Sequence, residues 1–208
     1  MLFQRISRIL ACAGVLWAGA AMADTTVHPA EALVKQVSTD VLTTIQTDKS
    51  LQSGDISKIV KLVEDKIVPV TDFQRMTSIA VGRSWRDASP AQREQLVAGF
   101  KQLLVRTYSG AVSQARDVKL QFKPTRASAD DSDVIVRSMV VQPRGEPIEL
   151  GYRLMKTPAG WKVYDINILG AWISQTYRDS FAQEVNKSGI DGLIKSLNDK
   201  NTEATSKK

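Results

Sequence analysis

The hydrophobic period of this chain changes from 3.6 to two at Val118 and changes back after Gly170, and that pair of switches constrains the fold more than any single motif. Before the first switch, apolar residues recur at helical spacing. Leu33, Val34, Val37, Val41, Leu42 and Ile45 form one stripe; Ile56, Ile59, Val60, Val63 and Ile67 form a second, which Pro69 ends. A short helix is expected from about Thr71 to Ala80. The longest helix opens on Ser89-Pro90 with Gln92 completing a capping box, and its stripe runs from Leu96 to Ala115.

Between the switches the chain alternates. Val118, Leu120 and Phe122 face away from Lys119, Gln121 and Lys123. Residues 134–141 are apolar on both faces, which predicts a strand covered on both sides. Ile148, Leu150, Tyr152 and Leu154 form one face of a third strand, and Trp161 to Ile168 is a fourth. Short turns at Asp130–Asp133, Pro143–Pro147 and Thr157–Gly160 predict an antiparallel meander. After Gly170, Trp172, Ile173, Tyr177, Phe181 and Val185 resume helical spacing; Ser188-Gly189 breaks it, and Ile190 to Leu197 continues it. The expectation is α+β: helices enclosing a twisted four-stranded antiparallel sheet.

The N-terminus reads as a cleaved secretory leader, residues 1–23. Arg5 and Arg8 precede the uncharged apolar stretch Ile9–Ala21, and Ala21-Met22-Ala23 is a small-x-small cleavage pattern. The remaining 185 residues suit one domain, taken as 24–198, with a flexible polar tail at 199–208. Losing two arginines takes the net charge from +6 to +4. Cys12 also leaves, so the mature chain has no thiol. Export without a cysteine framework suggests a bacterial periplasm.

Several chemistries are poorly supplied. His28 is the one histidine, at what reads as a frayed terminus. Without a second histidine or a cysteine, neither a nucleophilic triad nor a zinc site can be assembled. No Gly-rich phosphate loop is present. Lys and Arg are interspersed with acids rather than clustered, which argues against nucleic acid. Asp165, the acid inside the fourth strand, is the candidate general base for an enzymatic reading; its alternative role is to pair with an arginine or a backbone amide.

The apolar faces leave two readings open. They can fill one another's space as core, or they can wall a cavity for an apolar ligand. Residue by residue, Ile67–Met76, Gly82-Arg83-Ser84-Trp85-Arg86, Leu103–Tyr108 and Gly160–Gly170 with Gln175–Arg178 together resemble the MlaC family, also called toluene-tolerance auxiliary proteins. Leu169-Gly170-Ala171-Trp172-Ile173 departs from the family pattern, which usually has an acid before the glycine and smaller residues after. The departure bears on the pocket mouth.

The resemblance implies a non-enzymatic periplasmic carrier with a glycerophospholipid as cargo and neither cofactor nor metal. Its implied partners are an inner-membrane ABC transporter complex of the Mla type and an outer-membrane lipoprotein–porin complex. On that reading the acyl-chain wall is Phe100, Leu104, Tyr108, Val136, Leu150, Tyr152, Val163, Ile166, Trp172 and Tyr177. The rivals are an enzyme on a similar cone-shaped scaffold using Asp165, and a binding protein for another apolar ligand.

Overall fold

A computed structural model describes residues 27–128 and 130–206. The leader assigned to 1–23 lies outside the described residues. Helix α1 spans Pro29–Thr47, followed by the short helices α2 (Lys49–Gln52) and α3 (Ile56–Leu62). A π-helical turn (Val63–Ile67) and a 3-10 turn (Val68–Val70) lead to α4 (Phe73–Val81). The long helix α5 is Pro90–Gln114. Strands β1 (Lys119–Lys123), β2 (Asp133–Val141), β3 (Ile148–Thr157) and β4 (Gly160–Ile168) follow. A two-residue strand β5 (Ala171–Trp172) runs directly into α6 (Ile173–Ser206).

The strands form one antiparallel sheet in the order β1-β2-β3-β4-β5. The α+β architecture is as expected, with a fifth strand added. That strand exists because Leu169 (φ 51°) and Gly170 (φ 90°) both take positive φ, making a two-residue turn that folds Ala171-Trp172 back onto Asn167-Ile168.

Local signals explain most helix ends. Ser89 and Gln92 form the reciprocal capping box at α5. Asp48, Asp55 and Asp72 accept backbone N–H donors at the starts of α2, α3 and α4. His28 does the same for α1. Its Nδ1 accepts from the Ala30 N–H at 3.2 Å, and its ring meets Trp161 edge-on at 5.3 Å. This corrects the frayed-terminus expectation: His28 is buried as a cap.

The C-terminal end also differs from expectation in part. The break expected at Ser188-Gly189 is present, with Gly189 at φ 70° and ψ −174°, a conformation that glycine accepts and other residues adopt only at a cost. The helix continues through Ser206 rather than ending at a tail from 199. Asn201 is buried, and its Nδ2 donates to the Gly99 carbonyl at 3.0 Å. The tie is close because Gly99 has no side chain; a Cβ there would sit 3.1 Å from that of Leu197.

The sheet has an inner face toward the helices and an outer face. Register places Leu120, Phe122, Val134, Val136, Ser138, Val140, Leu150, Tyr152 and Leu154 on the inner face. Between Arg153 and Leu154 the β3–β4 pairing shifts, so Val163 and Ile166 both face inward while Tyr164 and Asp165 meet outer-face partners. On the outer face of β2, Ile135, Met139 and Val141 are half-buried and Arg137 is exposed, short of the full covering expected for the apolar strand 134–141. Arg75 of α4 reaches over one end, stacking 4.2 Å from the Tyr164 ring centre.

Candidate functional site: an apolar interior between three cores

Buried apolar residues usually form one contiguous cluster per domain. Among the described residues they form three. The first joins α4, α5 and α6 through Met76, Leu96, Phe100, Leu104, Phe181 and Leu197. The second joins the start of α1 to the sheet through Ala30, Val34, Val134, Val136, Leu154 and Val163. The third gathers Ile45, Leu51, Ile59 and Leu62 beneath α5.

The residues between the clusters define the site. Helix α1 buries Val34 in the second cluster and Ile45 in the third. Val37, Ser38 and Val41 lie between them on the same helical face, yet they are only half-buried. The inner sheet face behaves likewise. Val134, Val136 and Leu154 are buried, whereas Val140, Ile148, Leu150 and Ile168, on the same face, are half-buried. On α5, Tyr108 is half-buried between Leu104 of the first cluster and Val112 beside the third. Apolar side chains from three elements thus face inward between the clusters and remain half-buried.

Polar groups between the clusters are few. Tyr152 Oη and Ser138 Oγ are 3.3 Å apart, and the Ser38 hydroxyl also acts on the phenol. Burial raises the Tyr152 pKa above the ordinary phenol value, with the serine hydrogen bonds opposing. Burial also raises Tyr108, helped by the neighbouring Tyr177 phenol. In both, the surroundings favour the neutral hydroxyl over the phenolate.

The residues expected to form the wall divide by position. Val136, Leu150, Tyr152, Val163 and Ile166 share the inner sheet face. Ile166 packs against both the first and second clusters. Leu104 and Tyr108 come from α5, and Tyr177 from α6. Phe100 is enclosed instead: its ring meets Tyr177 and Phe181 edge-on at 5.0 and 5.2 Å, with no exposed area. Trp172 does not join the interior. Its indole lies near Gly151 on the outer face, with the Arg153 guanidinium 3.8 Å above the ring. Helical spacing misplaces it because β5 intervenes before α6 starts. Val37, Val41, Ile148 and Ile168, outside the expected wall, also face inward half-buried. Their apolar character was visible, but only register and helix placement bring them together.

Asp165 has no exposed area, and its oxygens are occupied. They accept from the backbone N–H of Ile166 and of Ser174, from Ser174 Oγ at 2.6 Å, and from Arg153 at 3.4 Å. The carboxylate ties β4 to the start of α6. Among the described residues, no three His, Cys, Asp or Glu side chains gather as a metal site, and no helix is long and apolar enough to cross a membrane.

Comparison with known proteins places this geometry. The model of the MlaC protein family matches residues 35–199. The chain belongs to the MlaC family. It is 25% identical over 165 residues to the intermembrane phospholipid transport system binding protein MlaC of Haemophilus influenzae, covering 78% of this chain and 77% of that one. It is 23% identical over 160 residues to the toluene tolerance protein ttg2D of Pseudomonas putida, covering 76% and 74%. A phospholipid-binding protein from Ralstonia solanacearum, solved in complex with a phospholipid, superposes with a TM-score of 0.82 at 48% identity, covering 85% of this chain and 98% of its own.

Proposed function

We propose that this MlaC-family protein binds a glycerophospholipid with its acyl chains in the space between the three cores, and carries it through the periplasm. The observation that carries the reading is the half-buried apolar lining contributed by α1, α5 and the inner sheet face. The phospholipid complex of the Ralstonia protein supports it. On this reading the protein exchanges lipid with an outer-membrane lipoprotein–porin complex and an inner-membrane ABC transporter complex, and performs no covalent chemistry.

The energetics fit such a task. Each exposed acyl CH₂ costs about 0.8 kcal/mol in water, so two ordinary chains cost on the order of 25 kcal/mol. A lipid therefore needs a dry container to cross an aqueous gap. The same container must release it, which favours apolar contact over many fixed polar anchors. An interior whose polar groups are a few hydroxyls, those of Ser38, Ser138 and Tyr152 with that of Tyr108, meets both demands.

The test is an organic extract of the natively purified protein, analysed by mass spectrometry. Stoichiometric phospholipid is expected; a protein that contains none and takes up none from vesicles would overturn the proposal. Intact-mass measurement of the exported protein checks the address, with a mature chain beginning at Asp24 as the expected result.

A further inference from the structure

The outer face of the sheet bears a feature that lipid carriage does not use. A shallow cleft of about 190 Å³ opens there, bounded by Lys123, Ile135, Arg137, Glu149, Asn167 and Trp172, with Gly151 at its floor; Ser138 and Leu150, which the register turns to the inner face, also border it. A Cβ at Gly151 would sit 3.2 Å from that of Asn167 and 3.6 Å from the Trp172 ring, so glycine keeps the floor low. Trp172 is held from the side by Arg153, which Asp165 anchors in turn.

The cleft has unspent donors. Lys123 pairs with Glu149 at 2.8 Å, and Arg137 acts on that carboxylate from farther away; together they hold Glu149 below the usual carboxylate range. Arg137 is exposed and makes no ion pair of its own among the described residues. Asn167 uses its Oδ1 to accept from the Gly170 N–H, which turns its amide donors elsewhere. The local charge runs plus, minus, plus, and a further carboxylate would extend the alternation.

A second, independent observation lies on the adjoining turn. Leu169 is a bulky residue at φ 51°, and 68% of its surface is exposed. A leucine there carries backbone strain. It recovers nothing by burial within this chain. The β5 pairing accounts for the turn but not for an exposed leucine in it, and that choice of residue points to contact with another molecule.

We propose that this patch, the Arg137–Trp172 cleft with Leu169 beside it, docks a protein partner that presents an acidic side chain next to an apolar one. Size and charge select this occupant. The cleft is smaller than the 300–1,000 Å³ typical of small-molecule sites, so a single side chain fits it better than a free ligand. Recognition of a lipid surface uses clusters of four to eight basic residues, and here two cations flank an acid. The guanidinium of Arg137 can receive a carboxylate in two-pronged fashion, and Trp172 with Ile135 offers the apolar wall.

The experiment titrates the isotope-labelled, lipid-loaded protein with acetyl-Leu-Glu-amide and with acetyl-Leu-Gln-amide, following the Trp172 indole N–H by NMR. The acidic peptide is expected to shift that signal. The shift should weaken about fivefold or more with the Gln peptide or the Arg137→Glu variant, and fall with added salt. Equal shifts from both peptides, or an effect that survives Arg137→Glu, would overturn the proposal. So would acetate alone reproducing the shift, or vesicles of phosphatidylglycerol binding in an Arg137-dependent manner. Arg137→Glu should leave the lipid content unchanged, so failure here is separable from failure of the carrier reading. Leu169→Asn supplies the independent arm, since Asn tolerates this backbone. A Tm higher by about 2–4 °C is expected from relief of strain, and a lower Tm would remove the Leu169 argument.

Discussion

The α4–α5–α6 core and the space between α1 and the sheet are built from the same residue types and do opposite things with them. In the first, Phe100, Tyr177 and Phe181 close on one another with centroid distances of 5.0 to 5.6 Å, and Leu96 and Phe100 have no exposed area. In the second, Val37, Val41, Leu150 and Ile168 face inward and remain half-buried. One region spends its apolar surface on stability. The other, on the proposed carrier reading, leaves it for a molecule that comes and goes. Apolar composition therefore does not separate core from container; whether a facing side chain arrives does.

The largest expected effect tests the closed region. Phe100→Ala should cost about 3–5 kcal/mol of unfolding free energy, since it removes an enclosed ring and leaves a cavity. Val41→Ala should cost about 1 kcal/mol, because its methyl groups lack a full shell of neighbours. Urea unfolding of the lipid-free protein measures both. Equal losses would show that α1 is packed as tightly as α5, and the contrast would collapse.

Much of this was legible before any coordinates, for identifiable reasons. Capping at Ser89 and Gln92, the alternation of β1 and β3 and the break at Gly189 are local, and local chemistry fixes them. The division of Val136 from Ile135 onto opposite faces was equally visible. Three things were not. The turn at Leu169-Gly170 requires positive φ at a leucine, against its preference, and the strand it creates moves Trp172 to the outer face. The shift between Arg153 and Leu154 puts Tyr164 and Asp165 on the same side, which strict alternation forbids. Whether Phe100 lines a space or fills one depends on Phe181, 81 positions away in the chain. Periodicity finds faces, and only tertiary placement says what lies opposite them.

A smaller effect is expected at the joint between the two regions. Asp165→Asn should cost about 2–3 kcal/mol, because a charge-assisted acceptor of two Ser174 donors is lost and Arg153 is left without its acid. Arg153 is 30% exposed, so water compensates part of its loss. Urea unfolding measures the cost. If Asp165 is purely a joint, phospholipid content per folded molecule should be unchanged. Loss of lipid from a fully folded Asp165→Asn protein would mean the joint also shapes the container.

Filling the container should separate function from stability most cleanly. Leu150→Trp adds bulk to the half-buried end of the inner face. In a packed core such a change costs about 1–3 kcal/mol through overpacking. Here stability should move by less than about 1 kcal/mol while co-purifying phospholipid falls sharply, read by the same extraction and by thermal unfolding. A strongly destabilised protein would mean the space is already full.

The smallest effect concerns the phenols that stay neutral inside. Burial raises Tyr152, and burial with the Tyr177 phenol raises Tyr108, above their unfolded values near 10. The neutral form is therefore favoured in the folded protein. The corresponding stability is complete below about pH 10 and is lost as pH rises through the higher folded-state values, because the unfolded chain releases these protons first. Tyr164 behaves alike for a different reason, since burial and the Asp133 carboxylate both oppose its ionisation. Phenolate absorbance followed during an alkaline titration distinguishes the two environments. In Tyr164→Phe the delayed ionisation assigned to Tyr152 and Tyr108 should persist. Bound lipid should delay it further, because an acyl chain excludes the water a phenolate needs. If lipid-free and lipid-loaded proteins titrate identically, these two hydroxyls do not face the cargo, and the lining must be redrawn without Tyr108 and Tyr152.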